Sequence, residues 1–158
     1  MGAPFLPAGL GSLGTEAAPS KTFTVEEANR LIPSIEAIFR EMDRRSLRLR
    51  EVLELITDIE EYWGGQVDDQ ELPDRPAHEG LLRERDDLQA SLHDDIERIH
   101  AVGAILKDYQ QGLVDFYGLV DGHLAFLCWQ RGEHSVRFYH PLEGGFAGRR
   151  PLTSVAQK

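Results

Sequence analysis

The spacing of apolar residues changes once along this chain, from steps of three and four before Gly112 to steps of two after it. A side-chain period near 3.6 belongs to helices and a period of two to strands, so the switch divides the fold. Ile32, Ile35, Phe39, Met42, Leu49, Leu53, Ile56 and Trp63 form one helical stripe; Leu81, Leu88, Leu92, Ile96, Ile99, Val102 and Leu106 form a second. Neither stripe can remain in water. Two helices are therefore expected to fold back on each other as a long antiparallel, coiled-coil-like hairpin. The expected class is α+β, with this hairpin followed by a small three-stranded antiparallel meander.

The helix boundaries carry their own signals. Thr24 and Glu27 have the spacing of a capping box, and Phe23 with Ala28 can form a hydrophobic staple across it. Pro33 predicts a kink, or a short first helix ending at Ile32. Gly64 and Gly65 stop the helix, residues 66–75 read as an exposed connection, and Asp74 with Pro76 opens the second helix, which is expected to run to about Tyr109. Gly103 within it either lets two backbones approach or is a tolerated helix glycine.

After Gly112, Leu113–Val120 and His123–Gln130 flank Asp121-Gly122, a preferred dipeptide for a type I′ hairpin. A second two-residue turn at Gly132-Glu133 would lead to a third strand over residues 135–140. With both turns that short, Val120 pairs with His123 and Arg131 with His134. One face then carries Val114, Phe116, Leu127, Trp129, Val136, Phe138 and His140, the expected core surface. The other carries Asp115, Tyr117, Phe126, Cys128, Arg137 and Tyr139. That second face holds large apolar groups, so it too should be covered, by the tail after Phe146 or by another subunit.

Charge and cysteine usage exclude several functions. The 158 residues carry a formal net charge of −10, which opposes binding to nucleic acid or to an anionic membrane surface. No apolar run is long enough to span a bilayer. The basic cluster Arg44, Arg45, Arg48 and Arg50 alternates with Glu41, Asp43, Glu51 and Glu54 and reads as a solvated, ion-paired helix face. Cys128 is the single cysteine, so no intramolecular disulfide can form. A stretch broken by proline and glycine precedes Lys21 without a basic leader region, and a cytoplasmic location is expected. Residues 1–21 and 153–158 are expected to be flexible tails around one domain at residues 22–152.

The opening KTFTVEEANRLIP and the closing GLVDFYGLVDGHLAFLCWQRGEHSVRFYHPLEGGFAGR resemble the DUF2203 family, short bacterial proteins classed as a domain of unknown function. The resemblance covers residues 21–152 and includes Glu26, Glu27, Asn29, Asp115, Asp121, Cys128, Glu133, His140, Glu143 and Arg149. It supports the architecture and implies no activity.

Four constellations could carry chemistry. His140-Pro141-Leu142-Glu143 runs into a glycine-rich turn, and His140 and Glu143 with Glu133 could bind a divalent ion such as zinc or manganese. The plainer account makes His140 a core-edge hydrogen bonder and pairs Glu143 with Arg149. Arg149 and Asp121 are candidate ligand-binding residues, the former because glycine-rich backbone and a guanidinium can hold an anion. Cys128 between Asp115 and Arg137 could be a nucleophile, but the derived register puts His140 on the opposite face, so a buried hydrophobe is the simpler reading. Glu97 and His100, flanked by His93, show half of a di-iron helical motif, and an exposed polar flank explains them better. Tyr117, Phe126 and Tyr139 form an aromatic row suited to a subunit interface.

No phosphate loop, dinucleotide fingerprint, serine elbow or zinc-ligand cysteine pair occurs. Two functions follow as expectations: a non-enzymatic interaction or scaffold protein that self-associates, or a metal- or small-ligand-binding protein, such as a hydrolase, built at the His-x-x-Glu loop.

Overall fold

The computed structural model describes residues 21–152. Apart from Lys21, the two expected tails lie outside the described residues. The elements are α1 (Val25–Trp63), a 3-10 turn (Gly64–Gln66), α2 (Arg75–Ala101), β1 (Ile105–Asp108), β2 (Leu113–Val120), β3 (His123–Gln130), β4 (Phe138–His140), a second 3-10 turn (Phe146–Gly148) and β5 (Arg150–Pro151). The strands form one antiparallel sheet in the order β1-β2-β3-β4-β5. The class is α+β, with five strands where three were expected. None of the described helices is long and apolar enough to cross a membrane.

The chain divides into two compact units, whose described parts are residues 40–95 and residues 21–39 with 96–152. In the first, two helical segments run antiparallel. Leu49, Val52, Ile56 and Leu92 are buried there. Arg45 Nη1 lies 2.5 Å from both carboxylate oxygens of the buried Asp95. Arg48 grips Glu84 with Nε at 2.6 Å and Nη2 at 3.0 Å. At the closed end, Trp63 Nε1 donates to Asp74 Oδ2 at 2.7 Å, and His78 Nε2 meets Glu60 Oε1 at 3.0 Å.

The second unit packs the start of α1 against the sheet. The capping box forms as the sequence predicts: Glu27 N–H donates to Thr24 Oγ1, and Thr24 N–H to Glu27 Oε1, both at 3.1 Å. The bond from the Thr24 backbone holds the Glu27 carboxyl below its usual range. The helix continues through Pro33 to Trp63, so a first helix ending at Ile32 is not observed. Pro33 is exposed, where water can meet the carbonyl that loses its donor. Phe39 stacks on Tyr109 at 6.0 Å between centroids and lies 6.3 Å from Trp129; Phe23 meets Phe116 edge-on at 5.4 Å. Val114, Phe116, Leu127 and Trp129 are buried, as expected of the core face.

The second helix ends eight residues earlier than expected. Gly103 adopts φ +95°, a left-handed conformation that stops the helix after Ala101, and its N–H donates to His100 O at 2.9 Å. The residues beyond Gly103, read as helix from their spacing, form β1 instead. Gly112 at φ +67° then turns β1 into β2, and a Cβ there would lie 2.4 Å from Arg131 Cβ.

The first hairpin has the expected register, from Leu113 opposite Gln130 to Val120 opposite His123, with Asp121 at φ +53° and Gly122 at φ +78°. The second connection does not. Glu133 Oε1 accepts the Gln130 N–H at 2.6 Å, occupying a donor that a ladder would use, and the Val136 N–H turns to Asn29 Oδ1 in α1 at 2.7 Å. Pairing resumes only at Phe138 opposite Cys128, Tyr139 opposite Leu127 and His140 opposite Phe126. This is one residue out of the two-residue-turn register, and a one-residue slip exchanges the faces of a strand. His140 therefore joins the face of Asp115 and Cys128, while Tyr139 moves to the other.

Candidate functional site

The slip in register assembles a cluster on the second face of the sheet. Asp115 on β2 faces Cys128 on β3, and His140 at the end of β4 comes alongside both. All three are buried, and one ligand atom from each lies within 4.8 Å of the others. His140 Nε2 is 2.8 Å from Asp115 Oδ2.

The hydrogen bonds of His140 fix its protonation. Nδ1 lies 2.9 Å from the carbonyl oxygen of Pro141, which can only accept, so Nδ1 carries a hydrogen. Nε2 then faces a carboxylate, and that contact is favourable only if Nε2 also donates. Asp115 accordingly raises the His140 pKa above its ordinary value, through the hydrogen bond first and its charge second, against desolvation by burial and the nearby positive charge of Lys107. The contact favours the protonated form of His140.

Cys128 lies in the same field. Burial, followed by the charge of Asp115, pushes its thiol up to about 12, while Arg149 works in the opposite direction. A thiol so poised is no nucleophile at neutral pH. Arg137, expected beside Cys128, is exposed, and Phe138 is the cross-strand neighbour of Cys128.

Beside the cluster lies a cavity of about 180 Å³. Asp115, Cys128 and His140 line it together with Lys107, Phe126, Leu142 and Phe146. Leu142, Gly144, Gly145 and Phe146, ahead of the tail expected to cover this face, contribute to the lining. Gly144 N–H donates to Pro141 O at 2.9 Å, closing a turn over the cavity rim.

The other residues singled out from sequence go elsewhere. Glu133 accepts from Arg149 Nη2 at 2.5 Å as well as from Gln130, and is not part of the cluster. Glu143 is exposed and outside the cavity lining, so the grouping of His140 with Glu143 and Glu133 gives way to His140 with Asp115 and Cys128. The pairing considered for Glu143 with Arg149 is made by Glu133 instead. Arg149 also donates to Cys128 O at 3.4 Å and lies over the rings of Phe138 and Phe146, at 4.1 and 4.9 Å. Its Nε is buried without a hydrogen-bond partner. Asp121 occupies the exposed hairpin turn. Tyr117 and Phe126 meet at 4.6 Å, but Phe126 is buried against His140 and Tyr139 lies on the opposite face, so the three do not form one row. His100 Nε2 receives the Leu106 N–H at 3.5 Å, and burial lowers its pKa.

The sequence reading places Asp115 beside Cys128 but not among the metal-ligating candidates. The signal that could have found it is the pairing of Asp115 with Cys128, which follows from the Asp121-Gly122 turn alone. A buried aspartate beside a cysteine on an otherwise apolar strand pair requires a third polar partner.

Comparison with known proteins adds one finding. Residues 21–152 match the model of a family described as an uncharacterized conserved protein, DUF2203. No curated protein and no solved structure matches the chain.

Proposed function

Given that the chain belongs to the DUF2203 family, for which the description states no activity, we propose from the site itself that this is a metal-binding protein holding a zinc-class divalent ion through Asp115, Cys128 and His140. One observation carries the reading. The bond from His140 Nδ1 to Pro141 O orients the ring so that Nε2 faces Asp115 and Cys128. Metal-ligating histidines characteristically anchor their second nitrogen in this way.

Mixed sulfur, nitrogen and oxygen donors suit zinc better than manganese, because the thiolate is a soft ligand. The ion replaces two protons, those on His140 Nε2 and Cys128 Sγ, and so removes the acidity mismatch of a buried thiol beside a carboxylate. Three protein ligands leave a coordination position for water or a small ligand, and the adjoining cavity gives that position space. In such a site the metal supplies Lewis acidity. Asp115 and His140 fix the donor positions, while Phe126, Leu142 and Phe146 limit water.

The test is metal analysis of tag-free protein, followed by cobalt substitution. About one equivalent of metal per chain is expected, with a thiolate-to-cobalt absorption band that disappears in Cys128→Ser. Protein that stays metal-free in excess zinc, or a double variant His140→Ala/Cys128→Ser that binds as tightly as the parent, overturns the proposal.

A second reading, self-association as an interaction or scaffold protein, draws on a different observation. Leu47, Leu55 and Tyr62 are exposed along one side of α1, at 56%, 43% and 78% of their surface. Exposed apolar groups that share one helix side favour a partner. Light scattering tests it: a dimer dispersed by Leu55→Lys and Tyr62→Lys is the expected result, and a monomer at high concentration removes the reading.

A further inference from the structure

We infer that the cavity beside Asp115, Cys128 and His140 takes a small organic acid, selected by the ammonium of Lys107; the inference deepens the metal reading and rests on it only for the second contact of the acid group. Size sets the first limit. The cavity measures about 180 Å³. An apolar cavity of about 150 Å³ accepts benzene. The space suits one ring, or a short branched chain, bearing one small polar group. The walls Leu113, Phe126, Leu142 and Phe146 favour hydrocarbon.

Charge sets the second limit. Lys107 brings an ammonium to the lining, within a chain whose formal charge is −10. Nonspecific attraction of anions to so acidic a protein is weak, so a local cation has selective value.

Lys107 is placed for this. It lies on β1 and is exposed, and its Nζ is 4.5 Å from the centroid of Phe126, which itself lies 5.3 Å from the ring of His140. Among the described residues its ammonium pairs with no carboxylate. Lys107 shares the cavity lining with Asp115, Cys128 and His140, so a ligand held among the apolar walls has both the ammonium and the cluster around its acid group. Binding there gives Lys107 the anionic partner that the fold does not provide.

Benzoate and its neutral isostere benzamide are the probes, titrated by calorimetry and by amide NMR into metal-free and zinc-loaded full-length protein, with zinc content measured on the same samples. Benzoate is expected to bind at least about tenfold tighter than benzamide and to shift the amide signals of Phe126 and Gly144. Lys107→Met should abolish the preference and Lys107→Arg should keep it, both with unchanged amide signals outside the cavity lining because the side chain is exposed. Equal binding of the two probes, absence of binding, or a preference that survives Lys107→Met overturns the inference. A cluster that takes no zinc while benzoate remains preferred overturns the metal reading and keeps the acid; a zinc-loaded cluster with no preference does the reverse.

Discussion

His140 Nε2 lies 2.8 Å from Asp115 Oδ2 with both side chains almost wholly buried, so a cation and an anion 25 residues apart in the chain neutralise each other inside the sheet. Removing one member leaves the other charged without a partner. His140→Ala in metal-free protein is expected to lower stability by about 3 to 5 kcal/mol. The double variant Asp115→Asn/His140→Gln should lose less than the two single variants together, because no uncompensated charge remains. Urea denaturation of wild type, His140→Ala, Asp115→Asn, His140→Gln and the double variant measures both effects, and strictly additive losses would show that the pair is not coupled.

The same pair gives the metal-free protein a pH dependence. Asp115 raises the His140 pKa above its ordinary 6.5, so the folded state holds that proton more tightly than the unfolded chain. Stabilisation from this group is complete below 6.5 and is lost as pH rises through the elevated folded-state value. The urea midpoint should therefore fall across the range above 6.5, and His140→Gln should flatten that slope. A midpoint that rises over the same interval in wild type but not in the variant would contradict the assignment of His140 as imidazolium.

Metal binding inverts this dependence. At neutral pH zinc must displace the proton on His140 Nε2 and the thiol proton of Cys128, whose pKa burial and Asp115 have pushed up to about 12. About two protons are expected to leave per ion, so apparent affinity should rise roughly a hundredfold per pH unit while both are displaced. Calorimetry in buffers of different ionisation enthalpy counts them. Arg149→Met should weaken zinc binding further, since Arg149 is the group that favours the thiolate. Zinc uptake without proton release would mean that the ion sits elsewhere.

Much of the fold was legible because local chemistry decided it. Thr24 with Glu27 and the pair Asp121-Gly122 each act within a few residues, and each appears where the sequence places it, whereas the change to strand comes before Gly112, at β1. The strand β1 was not legible in the same way. Val102 and Leu106 continue the helical spacing of Ile96 and Ile99, and only the left-handed Gly103 between them shows that the spacing no longer describes a helix. The candidate site failed to emerge for a different reason. Its assembly depends on a slip of one residue, caused when the Glu133 carboxylate takes the Gln130 N–H and Asn29, over a hundred residues away, takes the Val136 N–H. A two-residue turn at Gly132-Glu133 is the shorter solution on sequence grounds. It places His140 on the core face and Tyr139 beside Phe126, the reverse of what is found.

Gly103 also offers a test of how closely Phe23 is seated. A Cβ on Gly103 would lie 2.6 Å from Phe23 Cζ, and the residue has φ +95°. Gly122 has φ +78° but nothing within 4 Å of the corresponding position. Gly122→Ala should therefore cost about 1 kcal/mol for backbone strain alone, and Gly103→Ala about 2 to 4 kcal/mol for strain plus the clash. Phe23→Leu in the Gly103→Ala background separates the two terms, because the shorter side chain relieves the clash and leaves the strain. Thermal or urea unfolding of Gly122→Ala, Gly103→Ala, Phe23→Leu and the double variant should show partial recovery in the double variant; a further loss equal to that of Phe23→Leu alone would mean that the ring does not press on Gly103.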